Sequence, residues 1–108
     1  MIKFVVPLAL ALVLWLLWRQ WAGRRRAAFI DDYPLAETLD QRLAARRPEL
    51  TPAQRAEVFA GLRDYFHLCR KAGRRMVAMP SQAVDDAWHE FILFTRRYDQ
   101  FCRGAFGR

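Results

Sequence analysis

The sequence predicts an all-α protein, with one N-terminal transmembrane helix and a small three-helix cytoplasmic domain. Three observations predict it. Phe4 to Trp18 is an apolar run without a single charge. Apolar residues then recur at helical spacing through the rest of the chain. No segment shows two-residue alternation, and no Asn-Gly or Asp-Gly hairpin turn occurs. A length of 108 residues allows one small domain and excludes a multi-domain enzyme. With the apolar opening set aside, residues 27–108 can build one modest core and no large substrate cleft.

The opening segment comes first. The 15 residues from Phe4 to Trp18 would cover about 22 Å of the roughly 30 Å hydrocarbon layer as a helix. Met1, Ile2 and Gln20 to Ala22 extend it to about 33 Å, with Lys3 and Arg19 reaching for the headgroups. Residues 1–22 therefore read as a transmembrane anchor, 23–31 as a basic juxtamembrane linker and 32–108 as the helical domain. Trp15, Trp18 and Trp21 gather where amphipathic rings favour the membrane interface. Pro7 falls near the membrane edge, where a missing backbone bond costs least. Arg24, Arg25 and Arg26 would meet anionic headgroups at about 1 kcal/mol per residue, or act as a topology signal alone. Two other readings compete. A cleaved signal peptide needs small residues at its cleavage site, where this chain has bulky Trp and Arg. A buried core helix needs more protein around it than this chain supplies.

Charge sets the expected side. Formal charge is +7 and the pI about 10.4, yet the excess is concentrated at Lys3, Arg19 and Arg24 to Arg26. The positive-inside bias places the protein in the inner (cytoplasmic) membrane, with its N-terminus outside and residues 24–108 in the cytoplasm. Residues 27–108 carry 13 Arg and Lys against 11 Asp and Glu, a balance unlike a nucleic-acid footprint, so no nucleic acid is expected as a partner. Cys69 and Cys102 have no CxxC spacing and read as reduced, small hydrophobic residues. A reversed topology would open the way to a 69–102 disulfide.

The helices follow in order. The first is expected from about Asp32 to Arg46, with Asp32 as N-cap, Pro34 in the first turn, and Leu35, Leu39 and Leu43 on its inner face. Pro48 ends it. Thr51, Pro52 and Gln54 form a capping-box start for the second, which carries the stripe Val58, Phe59, Leu62, Tyr65, Phe66 and Cys69 and stops at Gly73. Ser81 caps the third, running to about Arg103 with Val84, Trp88, Phe91, Ile92, Tyr98 and Cys102 near one face.

Candidate chemistry centres on Asp85, Asp86 and His89. Either carboxylate shares a helical face with the imidazole, through i,i+4 or i,i+3 spacing. Such a pair can orient a histidine or supply two metal ligands, with Cys102 a third candidate. The structural alternative is a contact within the helix, and a straight helix puts Cys102 about 20 Å along from His89. Hence a metal ion is the one cofactor considered, and none is otherwise implied. His67 reads as a solvated surface residue. Arg70, Lys71, Arg74 and Arg75 could touch phosphate or lipid headgroups, or simply cap a helix end. Trp88, Phe91 and Phe94 read as core before ligand stacking. No glycine-rich phosphate loop, GxSxG elbow, HExxH or paired CxxC is present.

Val84, Asp85, Trp88, His89, Phe91, Ile92, Leu93 and Thr95 are followed by Tyr98, Phe101, Cys102, Ala105, Phe106 and Gly107. This pattern resembles bacterial members of the glycine-rich domain-containing protein-like family. In that family the pattern continues past Phe-Gly into a segment with one or two histidines, which this sequence does not contain, and the glycine-rich region is absent too. The resemblance implies no defined activity. The function expected is that of a membrane-tethered, non-enzymatic interaction module, with the lipid bilayer and a protein at the membrane as partners. The alternative is a metal-binding or enzymatic domain using Asp85 and His89.

Overall fold

Between Lys3 and Asp32 the chief residues that resist a helix are Pro7 and Gly23, and alanines and arginines beyond Trp21 favour one. In the computed structural model, which describes residues 2–73 and 75–107, this whole stretch is a single helix, α1 (Ile2–Asp32). It is followed by α2 (Leu35–Arg46), α3 (Pro52–Ala72), α4 (Gln82–Leu93) and α5 (Thr95–Phe106), with no strand among the described residues. Residues 23–31, expected as a linker, are helical, and the 31 residues of α1 extend about 46 Å. The molecule measures 68 × 24 × 21 Å as a result. One helix long and apolar enough to cross a membrane is thus present, and its most apolar 18 residues bury nothing against the protein.

The helix continuing through Asp32 displaces the expected N-cap at that residue. Pro34 disfavours a helical Tyr33 before it and breaks the chain there. At φ −80°, ψ 71°, with Leu35 N–H donating to Tyr33 C=O at 2.9 Å, Pro34 makes an inverse γ-turn. Phe94 adopts nearly the same backbone, φ −83°, ψ 63°. There it divides the single expected helix into α4 and α5. Packing explains the break: Phe91 and Phe101 have ring centroids 5.2 Å apart. A straight helix would hold residues ten apart at about 15 Å, so the chain must fold back for both rings to enter one core.

The expected starts at Thr51 and Ser81 and the stop at Gly73 hold, while the last helix runs to Phe106, past the expected end near Arg103. Thr51 Oγ1 accepts from Gln54 N–H at 3.2 Å while Gln54 Oε1 accepts from Thr51 N–H at 2.8 Å. Ser81 Oγ accepts from Val84 N–H at 3.1 Å. Gly73 closes α3 at φ 66°, a conformation that penalises any Cβ.

Leu35, Leu39 and Leu43 from α2 meet Phe59, Leu62 and Phe66 from α3, Val84, Ala87 and Phe91 from α4, and Phe101 and Ala105 from α5. Each large apolar side chain so buried contributes about 1.5–3 kcal/mol of transfer free energy. From α1 a single residue, Ile30, is fully buried. Two glycines allow close helix approach. A Cβ on Gly104 would lie 2.6 Å from the Phe29 ring, and one on Gly61 would lie 3.0 Å from Val84 Cγ2.

Candidate functional site

Two regions carry the residues singled out by sequence. The first is the junction between α1 and the four-helix body. Trp15, Trp18 and Trp21 are all at least half exposed, and Arg24, Arg25 and Arg26 are exposed with them. The Arg19 guanidinium lies 5.4 Å from the Trp15 ring centre and that of Arg25 4.9 Å from Trp21. These contacts hold cation and ring at one height along the helix, the arrangement suited to a polar–apolar boundary.

Just beyond, α1 becomes part of the protein body. Its last carbonyls have no partner within the helix, so a donor must come from elsewhere. Arg63 of α3 supplies it, donating from Nε to Ile30 C=O at 3.3 Å and from Nη2 to Tyr33 C=O at 2.9 Å. A cation at a helix C-terminus also complements the helix dipole. His67, one turn further along α3, contacts Asp31 Oδ1 through Nε2 at 2.7 Å. It was expected in solvent. Sequence could not show that α1 would reach far enough to present Asp31.

The second region is α4. Asp85 and His89 are brought together, Oδ1 to Nε2 at 3.3 Å, as the i,i+4 spacing predicted. Half of the His89 side chain is exposed. Asp86 does something different. Its carboxylate, only 8% exposed, meets Arg46 Nη2 and Arg47 Nη1 at 3.3 Å each and accepts from Gln82 Nε2 at 3.1 Å. Glu90 joins through Arg46 at 3.3 Å. The last turn of α2 is thereby fixed to α4, a structural role that sequence spacing had left merged with His89.

Cys102 lies away from that pair, in a cleft of about 220 Å³ with Cys69, Tyr65, Trp88, Tyr98 and Phe106. The Phe94 corner places it there. Trp88 Nε1 donates to Tyr98 Oη at 3.2 Å. Burial pushes the Tyr98 hydroxyl up to about 12; the Trp88 bond opposes that rise, and Cys102 and Cys69 add to it. Burial likewise raises Tyr65, with its bond to Cys69 and the charge of Asp85 adding to the rise. Asp85 thus pairs with the exposed His89 and is near enough to Tyr65 for its charge to act on that hydroxyl. Among the described residues, no three His, Cys, Asp or Glu side chains are grouped to hold a metal ion. Trp88 and Phe91 pack in or against the core, while Phe94 carries the Arg42 guanidinium 4.6 Å from its ring centre. Of the basic cluster, Arg70 and Lys71 end α3, Arg75 is exposed, and Arg74 lies outside the described residues, as do Met1 and Arg108.

The family described as UCP032817-like matches residues 25–108. No curated protein and no solved structure matches the chain. The family match corrects the resemblance to the glycine-rich domain-containing proteins drawn from Val84 to Gly107. Most of that motif is packing: Val84, Phe91, Phe101 and Ala105 are buried, and Trp88 is bonded to Tyr98. It describes a folded-back helical pair and carries no mark of a glycine-rich protein. The matched region takes in the end of α1 and all four following helices, and the chain belongs to the uncharacterised UCP032817-like family.

Proposed function

We propose that this protein is a single-pass, membrane-anchored helical module that binds a protein partner at the membrane surface and performs no chemistry of its own. The observation that carries the reading is the double character of α1. Its first twenty described residues are exposed and almost wholly apolar, while Ile30 at its other end is completely buried in the domain core. Exposed apolar surface of that extent is unstable in water and stable in hydrocarbon. The positive flank at Arg24 to Arg26 favours the inner membrane, N-terminus outside and domain in the cytoplasm.

The anchor is tested by carbonate extraction of membranes expressing the full chain. Wild type is expected to stay with the membrane. A Leu12→Asp/Leu14→Asp variant should be released, since each charge at mid-bilayer costs about 2.5–3.5 kcal/mol. Release of wild type would end the anchor reading. Crosslinking pull-down from membranes tests the module: a partner enriched over an anchor-only control is expected, and equal recovery overturns it.

A second reading, a metal ion held by His89 and Asp85, is favoured by their 3.3 Å contact. Elemental analysis of the untagged full chain decides it. Stoichiometric metal lost in His89→Ala would support a metal site, and no metal in either protein would remove it.

A further inference from the structure

We infer that the angle between α1 and the end of α3 is a binding site for one anionic phospholipid, with its phosphate between the two helices and an acyl chain along α1. The inference rests on the membrane-anchor reading and adds to it a defined ligand.

Two clefts meet at this angle. The upper, about 310 Å³, is lined by Trp18, Arg19, Gly23, Arg26, Arg70 and Lys71, among others, with no carboxylate on its walls. The lower, about 700 Å³, shares Arg19, Gly23 and Arg70 and continues down α1 over Val13, Leu16 and Leu17. A cationic chamber thus opens directly onto an apolar track. That sequence of surfaces, in that order along a membrane helix, matches a phosphate followed by a hydrocarbon chain.

Charge decides between headgroups. Four cations converge on the upper cleft. The C-terminal end of α3, which lies beside them, contributes only about half a negative charge. A phosphodiester satisfies this field, whereas the ammonium of a zwitterionic choline headgroup would be placed among cations. Arg70 lines both clefts, so its guanidinium stands where the cationic chamber opens onto the apolar track. Guanidinium–phosphate pairs are among the strongest charge-assisted hydrogen bonds.

Gly23 is where the two clefts join. A Cβ there would make ordinary contact with Arg70 Nη1 at 3.8 Å, so a larger side chain would fill the opening without disturbing the helix. It provides a variant that keeps every charge.

The test uses the full chain reconstituted into vesicles of phosphatidylcholine alone or mixed with phosphatidylglycerol, extracted in mild detergent, with retained lipid quantified by mass spectrometry. Flotation with the phosphatidylcholine vesicles reports the anchor by itself. Loss of flotation would sink the anchor reading, and the lipid site with it. Given flotation, wild type is expected to retain phosphatidylglycerol selectively. Arg70→Gln with Lys71→Gln should reduce that selectivity about twenty-five-fold, at about fivefold per cation. Gly23→Leu should abolish it with helicity and flotation unchanged. Equal retention by wild type and Gly23→Leu would assign the lipid to diffuse attraction by the arginines and overturn the site. Displacement of the lipid by millimolar inorganic phosphate would show a site for the free anion and overturn it equally.

Discussion

The two ends of α1 are built on one uninterrupted backbone yet obey different rules. From Ile2 to Trp21 every residue is exposed, and apolar side chains point in all directions. From Ile30 onward one side chain is fully buried, and the helix end is held by Arg63 and His67. The first end leaves its apolar side chains uncovered by the rest of the protein. The second is held by both kinds of contact, Ile30 and Phe29 packing on the domain while Arg63 and His67 bind Ile30 C=O and Asp31. The difference teaches that an exposed apolar span and a packed domain can share a helix without sharing a core.

The contrast is sharpest when the core itself is damaged. Phe101→Ala removes a ring that contacts Phe66, Phe91, Tyr33 and Phe29, and should lower domain stability by about 3–5 kcal/mol in thermal unfolding. Leu12→Ala, on the bare end, should leave the same transition unmoved. A shift at Leu12 equal to that at Phe101 would mean the two ends form one cooperative unit.

A more selective cut is Gly104→Val. Its Cβ would fall 2.6 Å from the Phe29 ring, forcing α5 away from α1. About 1–3 kcal/mol of destabilisation is expected, together with slower-quenched or shifted tryptophan fluorescence near Trp21. An unchanged melt would show that the α1–α5 contact is dispensable.

Replacing Arg63 with Met asks how much the polar clamp contributes. Ile30 C=O would lose its side-chain donor and Tyr33 C=O one of its two, for about 1–3 kcal/mol, measurable as amide exchange at residues 30–33 accelerating before the rest of the domain. Uniform acceleration would place the clamp in the global unfolding unit instead.

The smallest expected effect is one of pH. Tyr98, ordinarily near 10, is pushed to about 12 by burial, so the folded protein holds its proton more tightly than the unfolded chain. Its contribution is complete below pH 10 and disappears as pH rises towards 12. The melting temperature should fall across that interval in wild type and fall less in Tyr98→Phe. Identical slopes would remove Tyr98 from the alkaline transition, leaving Tyr65, also raised by burial, as the next candidate.

Local signals were legible wherever a few neighbouring residues decide the outcome. Thr51 with Gln54, Ser81 and Gly73 ended helices as their chemistry dictates, and the Leu35, Leu39, Leu43 stripe is buried as its spacing required. The Asp85–His89 contact was legible for the same reason, being one turn of one helix. Failures occurred where a distant residue decides. Nothing near Phe94 in sequence marks a corner, since the break is dictated by where Phe91 and Phe101 must meet. Nothing near Asp31 marks a partner 36 residues away, nor does Asp86 advertise Arg46 and Arg47 on another helix. Arginines 24 to 26 suggested a basic linker by composition, although each is a good helix former and the helix runs on to Asp32, just before Pro34.

Continuity across residues 23–31 has a geometric consequence. A flexible tether would let the domain turn freely relative to the apolar half of α1, whereas a continuous helix fixes its azimuth. Each residue added between Trp21 and Ile30 would rotate the domain about 100° around the axis of α1 and shift it about 1.5 Å along it. The length of that stretch therefore acts as a phase setting, determining which flank of the four-helix body lies in line with the exposed apolar half of α1.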